Sequence, residues 1–155
     1  SCSLVGSEMC IRDRPYTDLI ISDLKLMDSA LHRQYTGVGN ELILQNLRRL
    51  AQEGRELILR IPVIPGVNDG RQNIEASADF ILRQLGGQVR TLQLLSFMRL
   101  GEEKYKSLGI PYQMEAVRLQ RRAFQRRVEE IARYFNSRGI HCLVGTKEKE
   151  ESQPE

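Results

Sequence analysis

The stretch DLIISDLKLMD, residues 18–28, decides the fold class of this chain. Its first part is apolar at successive positions, whereas a strand with one face in water alternates between apolar and polar residues. A continuous apolar run of this kind is typical of a parallel sheet whose two faces are both covered. The run ends in Asp23 and Lys25, which are spaced so that both side chains point to the same face of the strand.

Outward from this strand, the sequence alternates short apolar runs with longer amphipathic ones. Further strands are predicted in ELILRIPVIPG (56–66), VRTLQLLSF (89–97) and GIHCLVG (139–145). Helices are predicted in ELILQNLRRLAQEG (41–54), in NDGRQNIEASADFILRQLGG (68–87) and from Met114 to about Ser137, and a loop is predicted over residues 26–39. Strands separated by helices of about 12 or more residues imply right-handed crossovers and a parallel sheet. The predicted fold class is therefore α/β.

Local signals set the expected ends of these elements. Asn40 is predicted to cap the helix that follows it, and Gly54 is predicted to end that helix. Asp69 and Gln72 have the spacing of a capping box at the start of the next helix. Pro62 removes one backbone donor from the second strand, which predicts an irregular end there.

The two ends of the chain are expected to lie outside the fold. Residues 1–14 show neither helical nor alternating periodicity, resemble the translation of a sequencing adapter, and are predicted to be a disordered, non-native leader. Residues 146–155 are predicted to be a charged, disordered tail. Residues 15–145 remain as the folded unit, which is long enough for one domain or for half of a larger barrel.

The composition argues against several classes of protein. Hydrophobic residues make up 41% and charged residues 28%, as in a soluble globular protein, and no run is long enough to cross a membrane. A net charge of only +3 predicts neither a nucleic-acid nor a membrane partner. Between residues 15 and 145 the sequence has a single cysteine, Cys142, which favours a reducing, cytoplasmic setting without disulfides or cysteine metal cages.

The candidate functional residues follow the predicted strands. Asp23 and Lys25 end the first strand, Arg60 belongs to the second, and Met98 follows the third. In parallel α/β folds the ligand lies beyond the carboxyl ends of the strands, so these four side chains are predicted to line a single cavity. A lysine offers three donors to a carboxylate or a hydroxyl, and an aspartate can hold a cation or an amine.

Spacing alone leaves several roles open for these residues. The aspartate and Lys25 could form a simple salt bridge at the rim, or Lys25 could be the Schiff-base lysine of a barrel aldolase, which requires a desolvated side chain. The arginine-rich last helix could bind nucleic acid, although interleaved glutamates, as at Arg126 and Glu130, favour a solvated helix face. His32 is expected to be a solvated or capping histidine.

Three segments in this order resemble the C-terminal half of the glycyl radical enzyme activating proteins, which are radical S-adenosylmethionine enzymes. The segments are DLKLMD…YTGVGNELILQNLRRL, LILRIPVIPGVND and LQLLSFMRLGEEKYKSLG, within a likeness that runs from about Pro15 to Gly145. The resemblance implies the C-terminal half of a partial (β/α)6 barrel. In this family a 4Fe-4S cluster donates an electron to S-adenosylmethionine, and the resulting 5'-deoxyadenosyl radical removes a hydrogen from a glycine of a partner enzyme.

The resemblance also implies roles for the residues at the strand ends. Lys25 would contact S-adenosylmethionine, Asp23 would help to hold a monovalent cation beside it, and Arg60 would lie near the cofactor or the partner's glycyl loop. Met98 stands where the family often has a histidine, and it could pack on the adenine. The implied partners are a glycyl radical enzyme and an electron donor such as flavodoxin or ferredoxin.

One motif of the family does not occur in this sequence. The cluster is held by three cysteines in the pattern C-x-x-x-C-x-x-C, whereas the cysteines here are Cys2, Cys10 and Cys142. The sequence is therefore interpreted as a truncated gene product, and the chain by itself is expected to be catalytically inactive.

Overall fold

The computed structural model describes residues 19–96 and 120–145 of the chain. The strands are β1 (Leu19–Asp23), β2 (Glu56–Val63), β3 (Val89–Ser96) and β4 (Cys142–Val144), and they form one parallel sheet in the order β1-β2-β3-β4. The helices are α1 (Ser29–Thr36), α2 (Glu41–Gln52), α3 (Arg71–Gln84) and α4 (Arg121–Ser137). The predicted α/β class with parallel strands is confirmed. The predicted leader, the predicted tail and Met98 lie outside the described ranges.

The two faces of the sheet have different surroundings. Every second residue of β2 is buried in a single core with residues of α2, α3 and α4. The buried residues of β2 are Leu57, Leu59, Ile61 and Val63. The residues between them, Arg60 among these, are only half-buried. Because successive side chains of a strand point to opposite faces, the helices cover one face and Arg60 lies on the other.

Each of the three core helices contributes an apolar stripe to the covered face. The buried helical residues of the core are Leu44, Leu47, Leu50 and Ala51 in α2, Ile74, Ala78, Phe80 and Ile81 in α3, and Val128, Ile131, Ala132 and Phe135 in α4. Their spacing of three or four residues is the helical period on which the sequence prediction relied. In α2 Leu44 is buried with Leu47, Leu50 and Ala51, whereas its neighbour Ile43 is only partly buried against the core.

Helix α1 lies where the sequence predicted a loop, so that prediction was wrong. Asp28 caps the helix, since its Oδ1 accepts a hydrogen bond of 2.8 Å from the backbone N–H of Leu31. Gly37 ends the helix with a φ of +85°, a conformation that glycine adopts without strain. The eight-residue helix is largely exposed and has no apolar stripe, so hydrophobic periodicity could not reveal it.

Two residues that were predicted to cap helices use their side chains for other contacts. Asn40 precedes α2 as predicted, but its side chain makes no cap hydrogen bond and instead binds the loop between β1 and α1. The residue before α3 is Gly70, without a side-chain cap, and the Oδ1 of Asp69 accepts from the N–H of Gly66 at 2.8 Å. The capping box predicted from Asp69 and Gln72 is therefore wrong.

The irregular end predicted from Pro62 is not observed at that residue. Strand β2 continues past it, and its register shift lies at the other end, between Leu57 and Ile58. The carbonyl of Arg60 accepts from the N–H of Leu24 at 2.8 Å, so the backbone of Arg60 faces β1. Pro62, two residues later, faces the same side beyond the end of β1, where the ladder requires no donor.

Helix α4 is shorter at its start than predicted. It begins at Arg121 after the non-helical Gln120, and residues 114–119 of the predicted range lie outside the described part of the chain. Among the described helices, none combines the length and the apolar character needed to cross a bilayer.

The covered face predicts that truncation of a core leucine destabilises the fold far more than truncation of an exposed one. Leu59→Ala is expected to lower the free energy of unfolding by about 2–5 kcal/mol, because it leaves a cavity in the core. Leu59 has 0% exposure, whereas Leu42 on α2 is 52% exposed and Leu42→Ala is the matched control. Denaturant unfolding measures both variants, and the control is expected to change by roughly 0.5 kcal/mol or less. Equal losses would contradict the assignment of the covered face.

Candidate functional site

Asp23, Lys25 and Arg60 lie at the carboxyl end of β1 and on the neighbouring part of β2. The parallel register pairs Asp23 directly with Arg60, so both side chains leave the sheet on the face that the helices do not cover. Lys25 follows two residues after Asp23, and its Nζ lies 3.9 Å from Oδ2 of that aspartate. The structure thus brings together three of the four predicted site residues, and Met98 lies outside the described ranges.

A buried glutamine on β3 holds the guanidinium of Arg60. The Nε of Arg60 donates to Oε1 of Gln93 at 2.9 Å, and Gln93 is in register with Arg60 and only 6% exposed. A polar row from Asp23 through Arg60 to Gln93 therefore crosses three strands on the uncovered face. Gln93 was not predicted as a site residue, although a glutamine between two leucines of a predicted strand was the available signal.

The aspartate and the lysine remain open to a ligand. The side chain of Asp23 is 48% exposed and that of Lys25 is 45% exposed. An exposed ion pair contributes at most about 1 kcal/mol to stability, so a role as a structural salt bridge explains little. The Schiff-base alternative requires a desolvated lysine, and the exposure of Lys25 does not favour it.

The backbone that carries Lys25 is held by Asn68, from the loop after β2. The Nδ2 of Asn68 donates to the carbonyl oxygens of Lys25 at 2.9 Å and Pro62 at 2.8 Å. Its Oδ1 accepts from the N–H of Ile64 at 2.7 Å. One side chain therefore joins the end of the first strand to the end of the second.

Asn40 and Asn73 hold the next residues of the same loop. Asn40 donates through Nδ2 to the carbonyl oxygens of Leu26 and Met27, at 2.9 and 2.8 Å. The Oδ1 of Asn73 accepts from the N–H of Met27 at 2.8 Å, and its Nδ2 donates to the carbonyl of Asn68 at 3.0 Å. We refer to Asn40, Asn68 and Asn73 as the asparagine clamp. None of the three was predicted as a site residue from the sequence.

His32 is buried, so the solvated alternative expected for it is wrong, whereas its contacts at the end of α1 agree with the capping alternative. Its Nδ1 lies 2.7 Å from the carbonyl oxygen of Val38 and 3.0 Å from Oγ1 of Thr36. Since a carbonyl can only accept, Nδ1 carries the proton in this contact. The ring thus ties the end of α1 to the segment that follows it.

The arginine-rich helix α4 contacts acidic and backbone groups of this chain. Arg127 donates through Nη2 to the carbonyl of Asp69 at 2.8 Å, and its Nη1 lies 3.4 Å from Oε2 of Glu130. The sequence predicted Arg126 as the partner of Glu130, whereas the observed partner is the next residue, Arg127. These contacts agree with a solvated helix face.

The residues that the structure describes do not fit a 4Fe-4S cluster. Within the two described ranges no three histidine, cysteine or carboxylate side chains gather as metal ligands. Cys142 is buried on the helix-covered face, level with Leu92, and burial raises the pKa of its thiol to about 12. A single thiol enclosed in the apolar core does not form a cluster site, which takes several cysteine ligands.

Asp23, Lys25 and Arg60, by contrast, fit a small ligand that carries both charges. The group presents one carboxylate and two cations at the end of a parallel sheet, where the strand ends leave room for a ligand. An amino-acid moiety or a hydroxyl group would find both donors and an acceptor there.

The buried thiol of Cys142 predicts slow alkylation and a stability that falls at high pH. A thiol in the unfolded chain titrates near pH 8.5, so the unfolded state releases its proton first as the pH rises. The contribution of this group is therefore complete below about pH 8 and is lost progressively as the pH rises toward about 12.

Iodoacetamide labelling with and without urea, read by mass spectrometry of the peptide that contains residue 142, measures the reactivity. Labelling in the folded chain is expected to be at least about 100-fold slower than in urea. Cys142→Ala is the control for the pH dependence of unfolding, and it should remove the loss between about pH 8 and 10. Equal labelling rates in the two conditions would contradict the burial of this thiol.

Comparison with known proteins identifies the chain's relatives. No family model matches it. It is 64% identical over 135 residues to the (2S)-3-sulfopropanediol dehydratase activating enzyme of Klebsiella oxytoca. This alignment covers 87% of this chain and 43% of that protein. The chain is 32% identical over 145 residues to the indoleacetate decarboxylase activating enzyme of Tractidigestivibacter scatoligenes, which covers 89% of this chain and 44% of that protein.

A solved structure shows the same fold. It is the crystal structure of a domain of pyruvate-formate lyase-activating enzyme from Bacteroides vulgatus, with a TM-score of 0.67 and 27% sequence identity. The similarity covers 93% of this chain and 78% of that one. The chain spans less than half the length of the two activating enzymes above. Over most of its own length the chain is homologous to the glycyl radical enzyme activating enzymes.

Proposed function

We propose that this chain supplies the strand ends that bind S-adenosylmethionine in a glycyl radical enzyme activating enzyme. The observation that carries the proposal is the placement of Asp23, Lys25 and Arg60 on one uncovered face of neighbouring parallel strands. Ligands of parallel α/β folds bind at the carboxyl ends of the strands. Homology to the activating enzymes supports S-adenosylmethionine as that ligand.

Each of the three side chains has a binding role in this proposal. The ammonium of Lys25 donates to a carboxylate or hydroxyl oxygen of S-adenosylmethionine. The carboxylate of Asp23 holds a monovalent cation or accepts from an amine of the ligand. The guanidinium of Arg60, which donates a hydrogen bond to Gln93, contacts the ligand or the glycyl loop of the partner protein. Packing of Met98 on the adenine stays a prediction.

The whole activity requires parts that these residues do not provide. The proposal includes a 4Fe-4S cluster held outside this set of residues and an electron donor such as flavodoxin or ferredoxin. The chain by itself is expected not to cleave S-adenosylmethionine. A reducing, cytoplasmic setting belongs to the proposal and is supported by the free, buried thiol of Cys142.

We also propose a protein partner. The identity of 64% to the activating enzyme of a (2S)-3-sulfopropanediol dehydratase is twice the 32% found with the activating enzyme of an indoleacetate decarboxylase. A glycyl radical dehydratase that acts on this sulfonated diol is therefore the proposed partner.

A chimera tests both the ligand and the partner. Residues 15–145 replace the matching segment of the Klebsiella oxytoca enzyme, and the glycyl radical formed on its dehydratase is measured by electron paramagnetic resonance. We expect the chimera to activate the sulfopropanediol dehydratase and not an indoleacetate decarboxylase. Lys25→Ala is expected to reduce the rate of radical formation about 10- to 100-fold, because a hydrogen bond to a charged group contributes roughly 1.5–3 kcal/mol.

Arg83→Ala is the matched control for the loss of a positive charge. Arg83 lies near the end of α3, 76% exposed and in an ion pair of 3.9 Å with Asp79, as Lys25 is with Asp23. This variant should retain the rate of the unmodified chimera. A chimera that activates both partners equally would refute the proposed specificity, and a Lys25→Ala variant at full rate would refute the role of Lys25.

A further inference from the structure

We propose that Asn68 is a positioning residue, which fixes Lys25 relative to Arg60 so that both reach one ligand. The inference rests on the proposed function, since that function makes Lys25 a ligand-binding side chain. Asn68 itself touches no ligand in this proposal, because its amide is engaged entirely with backbone groups of the chain.

The position of Asn68 along the chain supports this role. The last ladder bond between β1 and β2 runs from the N–H of Leu24 to the carbonyl of Arg60, at 2.8 Å. The next residue, Lys25, lies beyond β1, and its carbonyl is bound by Asn68. Through its bond to Pro62, the same amide is tied to the strand that carries Arg60. The side chain therefore continues the connection between the strands one residue beyond the ladder.

The burial of Asn68 indicates that its polar contacts are essential. The residue is 3% exposed, and a buried amide without partners costs about 1–3 kcal/mol. Both donors and the acceptor of the amide are used. A turn holds this residue inward, since the N–H of Val67 donates to the carbonyl of Ile64 at 3.1 Å and Gly66 has a φ of +72°.

The chain contains a matched control for the test. Asn136 at the end of α4 donates through Nδ2 to the carbonyls of Ala132 and Cys142, both at 2.9 Å, and accepts from the N–H of Cys142 at 3.1 Å. These are the same kinds of bond in the same number as those of Asn68. They lie at the amino end of β4, whereas Lys25 follows the carboxyl end of β1.

Nuclear magnetic resonance of the whole 155-residue chain with 13C-labelled lysine provides the readout. The chain has five lysines, and Lys25→Arg assigns the signal of Lys25 by its disappearance. Asp23→Asn gives the position of that signal when the ion pair is lost. We expect Asn68→Ala to move the Lys25 signal toward the position found in Asp23→Asn, with the other lysine signals unchanged. Asn136→Ala is expected to lower stability but to leave the Lys25 signal in place.

A titration with S-adenosylmethionine separates this inference from the proposed function. In the unmodified chain the Lys25 signal should shift with the ligand, and Asn68→Ala should weaken the apparent Kd about tenfold, as expected for the loss of one well-placed contact. If the unmodified chain does not respond, the proposed ligand is wrong, whereas the positioning role is still judged by the shift that Asn68→Ala causes without ligand.

Three results would overturn the positioning role. One is a Lys25 signal that Asn68→Ala leaves unchanged, and another is an equal shift in Asn136→Ala. If Asn68→Ala fails to fold, Asn73→Ala takes its place, since it removes the bonds to the N–H of Met27 and the carbonyl of Asn68. This second variant is expected to move the Lys25 signal in the same direction, and the absence of that movement is the third result.

Discussion

The site depends on one constraint, which is the register between β1 and β2. The parallel ladder runs from the pair of Leu19 and Glu56 to the pair of Asp23 and Arg60. Because side chains alternate between the faces of a strand, a slip of one residue would turn Asp23 toward the helices and Ile20 away from the core. The burial of Ile20 on the covered face and the charge of Asp23 on the other therefore select the same register.

Sequence reasoning was sufficient for those features that repeat along the chain. The core stripes of α3 and α4 follow the helical period, and the uninterrupted apolar run before Asp23 indicated a parallel strand. The geometry of parallel sheets then predicted from the sequence that Asp23, Lys25 and Arg60 lie on neighbouring strands near their carboxyl ends. Their approach in the structure follows from topology and from the two-residue spacing of the first pair.

The remaining features could not be predicted, because their partners are far apart in the chain. Asn68 binds the carbonyl of Lys25 across 43 residues, and Asn73 binds the N–H of Met27 across 46. Such bonds leave no periodic trace, and a buried asparagine looks like any loop or cap residue in the sequence. The burial of His32 could not be predicted for a different reason, since its nearby partner is the backbone carbonyl of Val38 and residue type does not identify such an acceptor.

Pro62 has a consequence for the shape of the site. A strand that grew past Leu24 along β2 would meet a carbonyl at Pro62 but no N–H, so sheet pairing stops there. The side-chain amide of Asn68 fills the acceptor that the absent strand would have used. The outcome is an anion anchored within the sheet at Asp23, next to an ammonium at Lys25 that stands outside it on a flexible stem. The binding surface thus combines a carboxylate whose backbone is fixed by the sheet with an ammonium that can adjust its position.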